Sequence, residues 1–174
     1  LKQQDTAAIA NIAGSSVDDY CAMAERLNDT DVDIVEMNIS CPNVKQGGVG
    51  FGTSCESAAA VTKAVRAHCR KPLMVKLTPN VTNIGDIAAA VEDAGADAVS
   101  LINTLTGMRI DIRTGEPILS NRTGGVSGPA IFPIALSYVW RVRQALPGIP
   151  ISTRFESSRR RPRSISSIRP SGIG

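Results

Sequence analysis

The stretch LMVKLTPNVTNIGDIAAAVEDAGADAVSLINT, residues 73–104, reads as strand, helix, strand. Its two short apolar runs, LMVKLT (73–78) and AVSLINT (98–104), flank a segment from about Ile84 to Ala94 whose apolar residues recur at helical spacing. The same unit appears on either side. Upstream, TAAIANI (6–12) is a strand followed by a helix that Ser15 or Ser16 can cap. In that helix Tyr20, Cys21, Ala24 and Leu27 make one apolar stripe, and Asp18, Asp19, Glu25 and Arg26 are left to solvent. DIVEMNIS (33–40) then leads through a glycine-rich loop to a helix from about Glu56 to Ala67. Downstream of AVSLINT come a long loop, a helix from about Ala130 to Leu146, and PGIPIS (147–152), which opens a fifth strand. Strands that alternate with single helices imply crossover units and a parallel sheet.

An open, doubly wound sheet and a closed barrel both satisfy that alternation. A dinucleotide-binding open sheet would carry GxGxxG after its first strand, and IANIAGSS does not supply it. Instead a polar residue recurs at the carboxyl end of successive strands: Asn11, Asn38, Lys76 and Asn103. In a (β/α) barrel those ends converge on one mouth, where the chemistry is placed. The pattern therefore predicts an α/β fold, a partial (β/α)8 TIM barrel, because closure takes about 250 residues and this chain has 174.

Composition agrees with that class. Hydrophobic residues make up 43% of the chain but aromatics only 3%, so the core must rest on Ala, Val, Ile and Leu, as in helices packed on a parallel sheet. The net charge of +3 comes from the end of the chain, where Arg154, Arg159, Arg160, Arg161, Arg163 and Arg169 face the single acid Glu156. The body before them is slightly acidic, which argues against a nucleic-acid-binding face. The cysteines Cys21, Cys41, Cys55 and Cys69 form no CxxC pair, and His68 is the one imidazole, so a metal site is not expected. Neither a leader nor a membrane-spanning run is read, and the expectation is a reduced, cytoplasmic protein.

The segments IANIAG (9–14), EMNISCPNVKQGG (36–48), VKLTPNVT (75–82), GADAVSLINTLTGM (95–108) and GGVSGPAI (124–131), in this order and at these spacings, resemble class 1 dihydroorotate dehydrogenases, most closely the NAD-linked type 1B. The resemblance implies a barrel holding FMN over its mouth with dihydroorotate stacked on it. It implies that Cys41 is the base that removes the C5 proton while a hydride leaves C6 for the flavin. Asn38, Asn43, Asn103 and Thr104 become substrate contacts, and Asn11, Asn38, Lys76, Ile102 and Gly128 become cofactor contacts. Lys76 lies inside an apolar strand, where an ammonium needs an anionic partner; the resemblance sets it against the flavin, and a salt bridge at the barrel mouth is the other reading. Type 1B membership further implies a homodimer with an electron-transfer subunit that carries FAD and a 2Fe-2S centre, for which this chain has no cysteine cluster.

Relative to that family, residues 1–152 read as a partial barrel lacking its first two strands and its closing units. The expected Gly-Gly phosphate loop is replaced by Arg154 and Phe155, so weak or no FMN retention through purification is expected. Residues 153–174, RFESSRRRPRSISSIRPSGIG from Arg154 onward, read as an aberrant, disordered tail, consistent with a shifted reading frame. Two other functions fit parts of the sequence. One is pyrimidine reduction of the dihydropyrimidine dehydrogenase kind, which shares the cysteine and asparagines, although NVKQGG after CPN favours dihydroorotate. The other is a non-catalytic module whose basic tail binds an anionic surface; the body lacks the aromatic platforms that single strands use.

Overall fold

The computed structural model describes residues 6–40 and 50–153. Five parallel strands form the main sheet: β1 (Ile9–Ile12), β2 (Ile34–Asn38), β3 (Leu73–Lys76), β4 (Ala98–Leu101) and, after the hairpin β5 (Leu105–Met108) and β6 (Thr123–Val126), β7 (Ile151–Thr153). Helices α1 (Val17–Leu27), α2 (Cys55–His68), α3 (Ile84–Asp93) and α4 (Phe132–Ala145) intervene between them. The spatial order is β1-β2-β3-β4-β7, so each new strand of the sheet adds to the same edge. A doubly wound sheet reverses direction at a switch point. This one does not, and its helices pack in sequence, α1 on α2, α2 on α3 and α3 on α4, as a single outer layer. The arrangement is the wall of a partial (β/α)8 barrel.

Side-chain caps start the first three helices close to where the sequence places them. Ser16 caps α1: its hydroxyl accepts from the Asp19 amide at 3.1 Å, and the Asp19 carboxylate accepts from the Ser16 amide at 3.0 Å, a reciprocal capping box. Ser54 caps α2 through the Ser57 amide, and Asn83 caps α3 through the Gly85 amide. The α1 stripe is realised as expected, with Tyr20 and Ala24 buried and Cys21 and Leu27 half-buried.

The two faces of the sheet differ in kind. Ile12, Val35, Met37, Leu73, Val75, Val99 and Leu101 join Tyr20, Ala58, Val61, Val65, Ile84, Ile87 and Val91 from the helices in one apolar core. Side chains alternate along a strand, so Asn11, Glu36, Asn38, Met74, Lys76, Ala98 and Ser100 occupy the opposite face, which is the barrel interior.

Between β4 and α4, where the sequence predicts a long loop, the chain forms the antiparallel hairpin β5–β6, with Gly107 paired to Gly124. Its strands LTGM and TGGV are short and interrupted by glycine, which leaves no alternation to read. The α4 helix begins at Phe132 after a 3-10 turn at Pro129–Ile131, and Cys69 caps the end of α2.

Candidate active site

Register brings polar residues from separate strands into one row. Asn38 on β2 pairs with Lys76 on β3, Lys76 with Ser100 on β4, and Ser100 with Ser152 on β7. In-register neighbours in a parallel sheet share a face, with strands about 4.8 Å apart. The row therefore lies on the interior face at the carboxyl ends of four strands.

Asn103 joins the row from the segment that follows β4. Its amide is tied back to the Leu77 carbonyl at 3.1 Å, and its side chain donates to Asn38 Oδ1 at 3.1 Å. Its own Oδ1 accepts from the Thr104 amide at 2.8 Å. Asn38 is held from three directions: Oδ1 also accepts from the Ser40 amide at 3.2 Å, and its carbonyl accepts from the Tyr20 hydroxyl at 2.6 Å. Tyr20 is wholly buried and packs edge-on against Phe51, so a side chain of the outer helix layer reaches through the core to fix a residue of the mouth. Asn80 fastens Thr104, donating to its carbonyl at 2.9 Å while accepting from the Thr106 amide at 3.0 Å.

The remaining candidates separate. Asn11 gives its side-chain amide to Glu36 Oε2 at 2.6 Å, so this donor is committed within the sheet. Lys76 is half-buried, and among the described residues its ammonium has neither an ion pair nor a hydrogen bond, which leaves the salt-bridge reading without a partner there. Ile102 is half-buried against the core. Gly128 has φ of 98° and ψ of −173°, a conformation that L side chains avoid, and a Cβ there would meet nothing within 4 Å. Cys41 and Asn43 lie outside the described residues, as do residues 154–174.

The other thiols sit on or at the ends of helices α1 and α2. Burial pushes the Cys21 thiol up, and the nearby charges of Asp18 and Glu25 add to the effect, which keeps it protonated. Cys69 is buried, with its thiol 3.5 Å from the Lys71 carbonyl, and Cys55 is exposed at the start of α2. Among the described residues no group of three or more His, Cys, Asp or Glu could hold a metal ion, and no helix is long and apolar enough to cross a membrane.

Sequence reasoning did not single out Tyr20, Asn80 or Ser100 as parts of this site. Tyr20 reads as part of the apolar stripe of α1, and Asn80 and Ser100 fall inside quoted segments with no role given. The signal for Ser100 was its place three residues before Asn103 in the run AVSLINT (98–104).

The sequence matches the family described as dihydroorotate dehydrogenase over residues 1–153. Among curated proteins, the dihydroorotate dehydrogenase B (NAD(+)) catalytic subunit of Alkaliphilus oremlandii (strain OhILAs) is 58% identical over 146 residues, covering 84% of this chain and 48% of that protein. The protein of the same name from Bacillus pumilus (strain SAFR-032) is 57% identical over 152 residues, 87% of this chain and 49% of its own. A dihydroorotate dehydrogenase A (fumarate) from Lacticaseibacillus paracasei (strain ATCC 334) is 59% identical over 143 residues, 82% of this chain and 49% of its own. The chain spans about half the length of these relatives. With a match over nearly all of the barrel wall, the chain belongs to the dihydroorotate dehydrogenase family.

Proposed function

We propose that this chain carries the proton-abstracting and ring-binding part of an FMN-dependent oxidation of dihydroorotate to orotate, a step of pyrimidine synthesis. The observation that carries this reading is the row of Asn38, Lys76 and Ser100, joined by Asn103, on the interior face at the strand ends of a chain from this family.

The described residues fit a flavin. Lys76 offers an ammonium with no counter-ion among them, and Gly128 presents backbone with open space where a Cβ would stand. When bound, FMN supplies the acceptor for the substrate hydride. Lys76 would hold the electron-rich N1 and O2 edge, with Ile102, Gly128, Asn11 and Asn38 as further contacts. Asn38 and Asn103 orient the substrate ring: they already share a hydrogen bond, so both amide planes are set before a ligand arrives. Asn43 and Thr104 complete the polar contacts to the pyrimidine edge. Cys41 takes the C5 proton as thiolate, and its place just after β2 keeps it near Asn38 in the chain.

The relatives named B-type catalytic subunits support a partner subunit, and we assign to that partner the FAD and the 2Fe-2S centre, with a homodimer of the catalytic chain at the centre of the assembly. The A-type relative of similar identity makes the electron acceptor the point to measure, NAD(+) against fumarate. A cytoplasmic location follows from this biosynthetic role.

Anaerobic mixing of the chain with dihydroorotate, with FMN held in excess in solution, tests the reading. Flavin bleaching with formation of orotate is expected. The Cys41→Ala variant should lose at least about 10²-fold in rate, the usual contribution of a positioned base, while binding FMN as before. Undiminished turnover in that variant would remove Cys41 as the base. Reduction of uracil in place of orotate formation would move the chain to the dihydropyrimidine dehydrogenase kind.

A further inference from the structure

The hydroxyl of Ser100 is the buried side-chain oxygen or nitrogen that has no hydrogen-bond partner among the described residues. Ser100 is 6% exposed, so solvent does not satisfy it. A buried hydroxyl without a partner costs about 1–3 kcal/mol, and a serine at this place in an otherwise apolar strand is an expense that alanine would avoid. Its neighbours define where the hydroxyl faces. Val99 and Leu101 on either side belong to the helix-facing core, and Ser100 pairs in register with Lys76, whose ammonium is likewise unpaired among the described residues.

The two groups stand one strand apart on one face and yet do not bond each other. An ammonium is a donor only, whereas a hydroxyl both donates and accepts. Had the pair served the fold alone, a bond from Lys76 to Ser100 would have satisfied both. Kept apart, and unpaired among the described residues, they offer two donors side by side to one electron-rich group. Building on the flavin reading above, we propose that Ser100 is a cofactor-positioning residue: with Lys76 it forms a two-donor seat for the N1 and O2 edge of the flavin. That edge presents two adjacent acceptors and gains negative charge on reduction, so the seat binds the reduced form more tightly than the oxidised one. Ser152, the next residue in register, borders the seat on its far side.

Three quantities measured on the 174-residue chain and its Ser100→Ala and Ser100→Thr variants test this. They are the melting temperature without ligand, the FMN dissociation constant from fluorescence quenching up to about 1 mM, and the midpoint potential of the bound flavin. Ser100→Ala should melt about 2–4 °C higher without ligand, because the unsatisfied hydroxyl is gone. The same variant should lose about tenfold in preference for reduced over oxidised FMN, read as a potential about 30 mV lower. Ser100→Thr keeps the hydroxyl and should restore the potential. A lower melting temperature for Ser100→Ala would make the hydroxyl a structural element and overturn the proposal. So would an unchanged potential with wild-type FMN affinity, which leaves the flavin reading standing. Failure of the wild-type chain to quench FMN at any concentration would instead bring down the flavin reading, and this inference with it.

Discussion

Replacing Tyr20 by Phe isolates the contact through which the outer helix layer holds the mouth of the sheet. The ring is wholly buried and meets Phe51 edge-on, with centroids 5.9 Å apart, and Phe preserves that packing. The hydroxyl is lost, and with it the 2.6 Å bond to the Asn38 carbonyl. A buried hydrogen bond contributes about 0.5–1.5 kcal/mol net, and the short distance puts this one at the upper end. For a chain of this size the loss should lower the melting temperature by about 2–5 °C. Tyr20→Ala removes the ring as well and should cost about 3–5 kcal/mol, the range for large aromatic truncations. Urea unfolding followed by circular dichroism measures both, and equal slopes for wild type and Tyr20→Phe would show that the compactness of the folded state is unchanged. The Asn38 amide should also exchange with deuterium faster in Tyr20→Phe, since its strand end has lost an anchor. If Tyr20→Phe unfolds at the wild-type urea concentration and the Asn38 amide is no less protected, the bond does not hold the site and the reasoning fails.

Two further outcomes concern stability alone. The hydrogen bonds from the Ser15 hydroxyl and amide, then those with Ser16, hold the exposed Asp19 carboxyl below its ordinary value, so its contribution is present above the unfolded-state value and is lost as pH falls below about 4; Asp19→Asn should flatten that acid limb in a pH series of melting curves, and an unchanged limb would deny the capping box a role. Gly95 has φ of +104°, and a Cβ there would stand 2.9 Å from Arg66 Cγ, while Arg66 is itself tied to Asp97 and to the Lys71 carbonyl; Gly95→Ala should cost about 2 kcal/mol or more by urea unfolding, and a neutral result would show that Arg66 yields freely.

Most of the wall was legible because helix and strand units here obey their own periods. Ser16 marks the start of α1 by its capping side chain, and LMVKLT and AVSLINT mark strands as short, mainly apolar runs. The barrel reading rested on Asn11, Asn38, Lys76 and Asn103 recurring at strand ends, and the unreversed strand order agrees with it. The hairpin at 105–126 stayed hidden, since its pairing runs through Gly107, Gly124 and Gly125, residues with no side chain to form a pattern. In the site, Asn38 and Asn103 are visible from sequence as polar residues, but their mutual bond spans 65 residues and is a product of register. Asn11, which the sequence offers to a ligand, gives one side-chain N–H to Glu36 across the β1–β2 pairing, again a product of register. Cys41 and Asn43 rest on the sequence alone, as they fall outside the described residues.

The two faces of the sheet divide stability from function, and that division explains why the polar row survives in a buried place. On the helix side the strands of the main sheet contribute apolar side chains to one core, and the burial that drives folding is concentrated there. The interior face is free to hold groups that are unfavourable for the fold: a lysine without a counter-ion and a serine without a partner among the described residues. Among the described residues such groups stand open to something that enters. Their cost in the ligand-free chain is thereby returned on binding, and a ligand that meets both raises the stability of the folded state by mass action. Asn38 links the two sides, because its carbonyl is bonded to a core tyrosine while its side chain faces Asn103 across the mouth. Tightening the core around Tyr20 therefore fixes the amide that the substrate is proposed to meet.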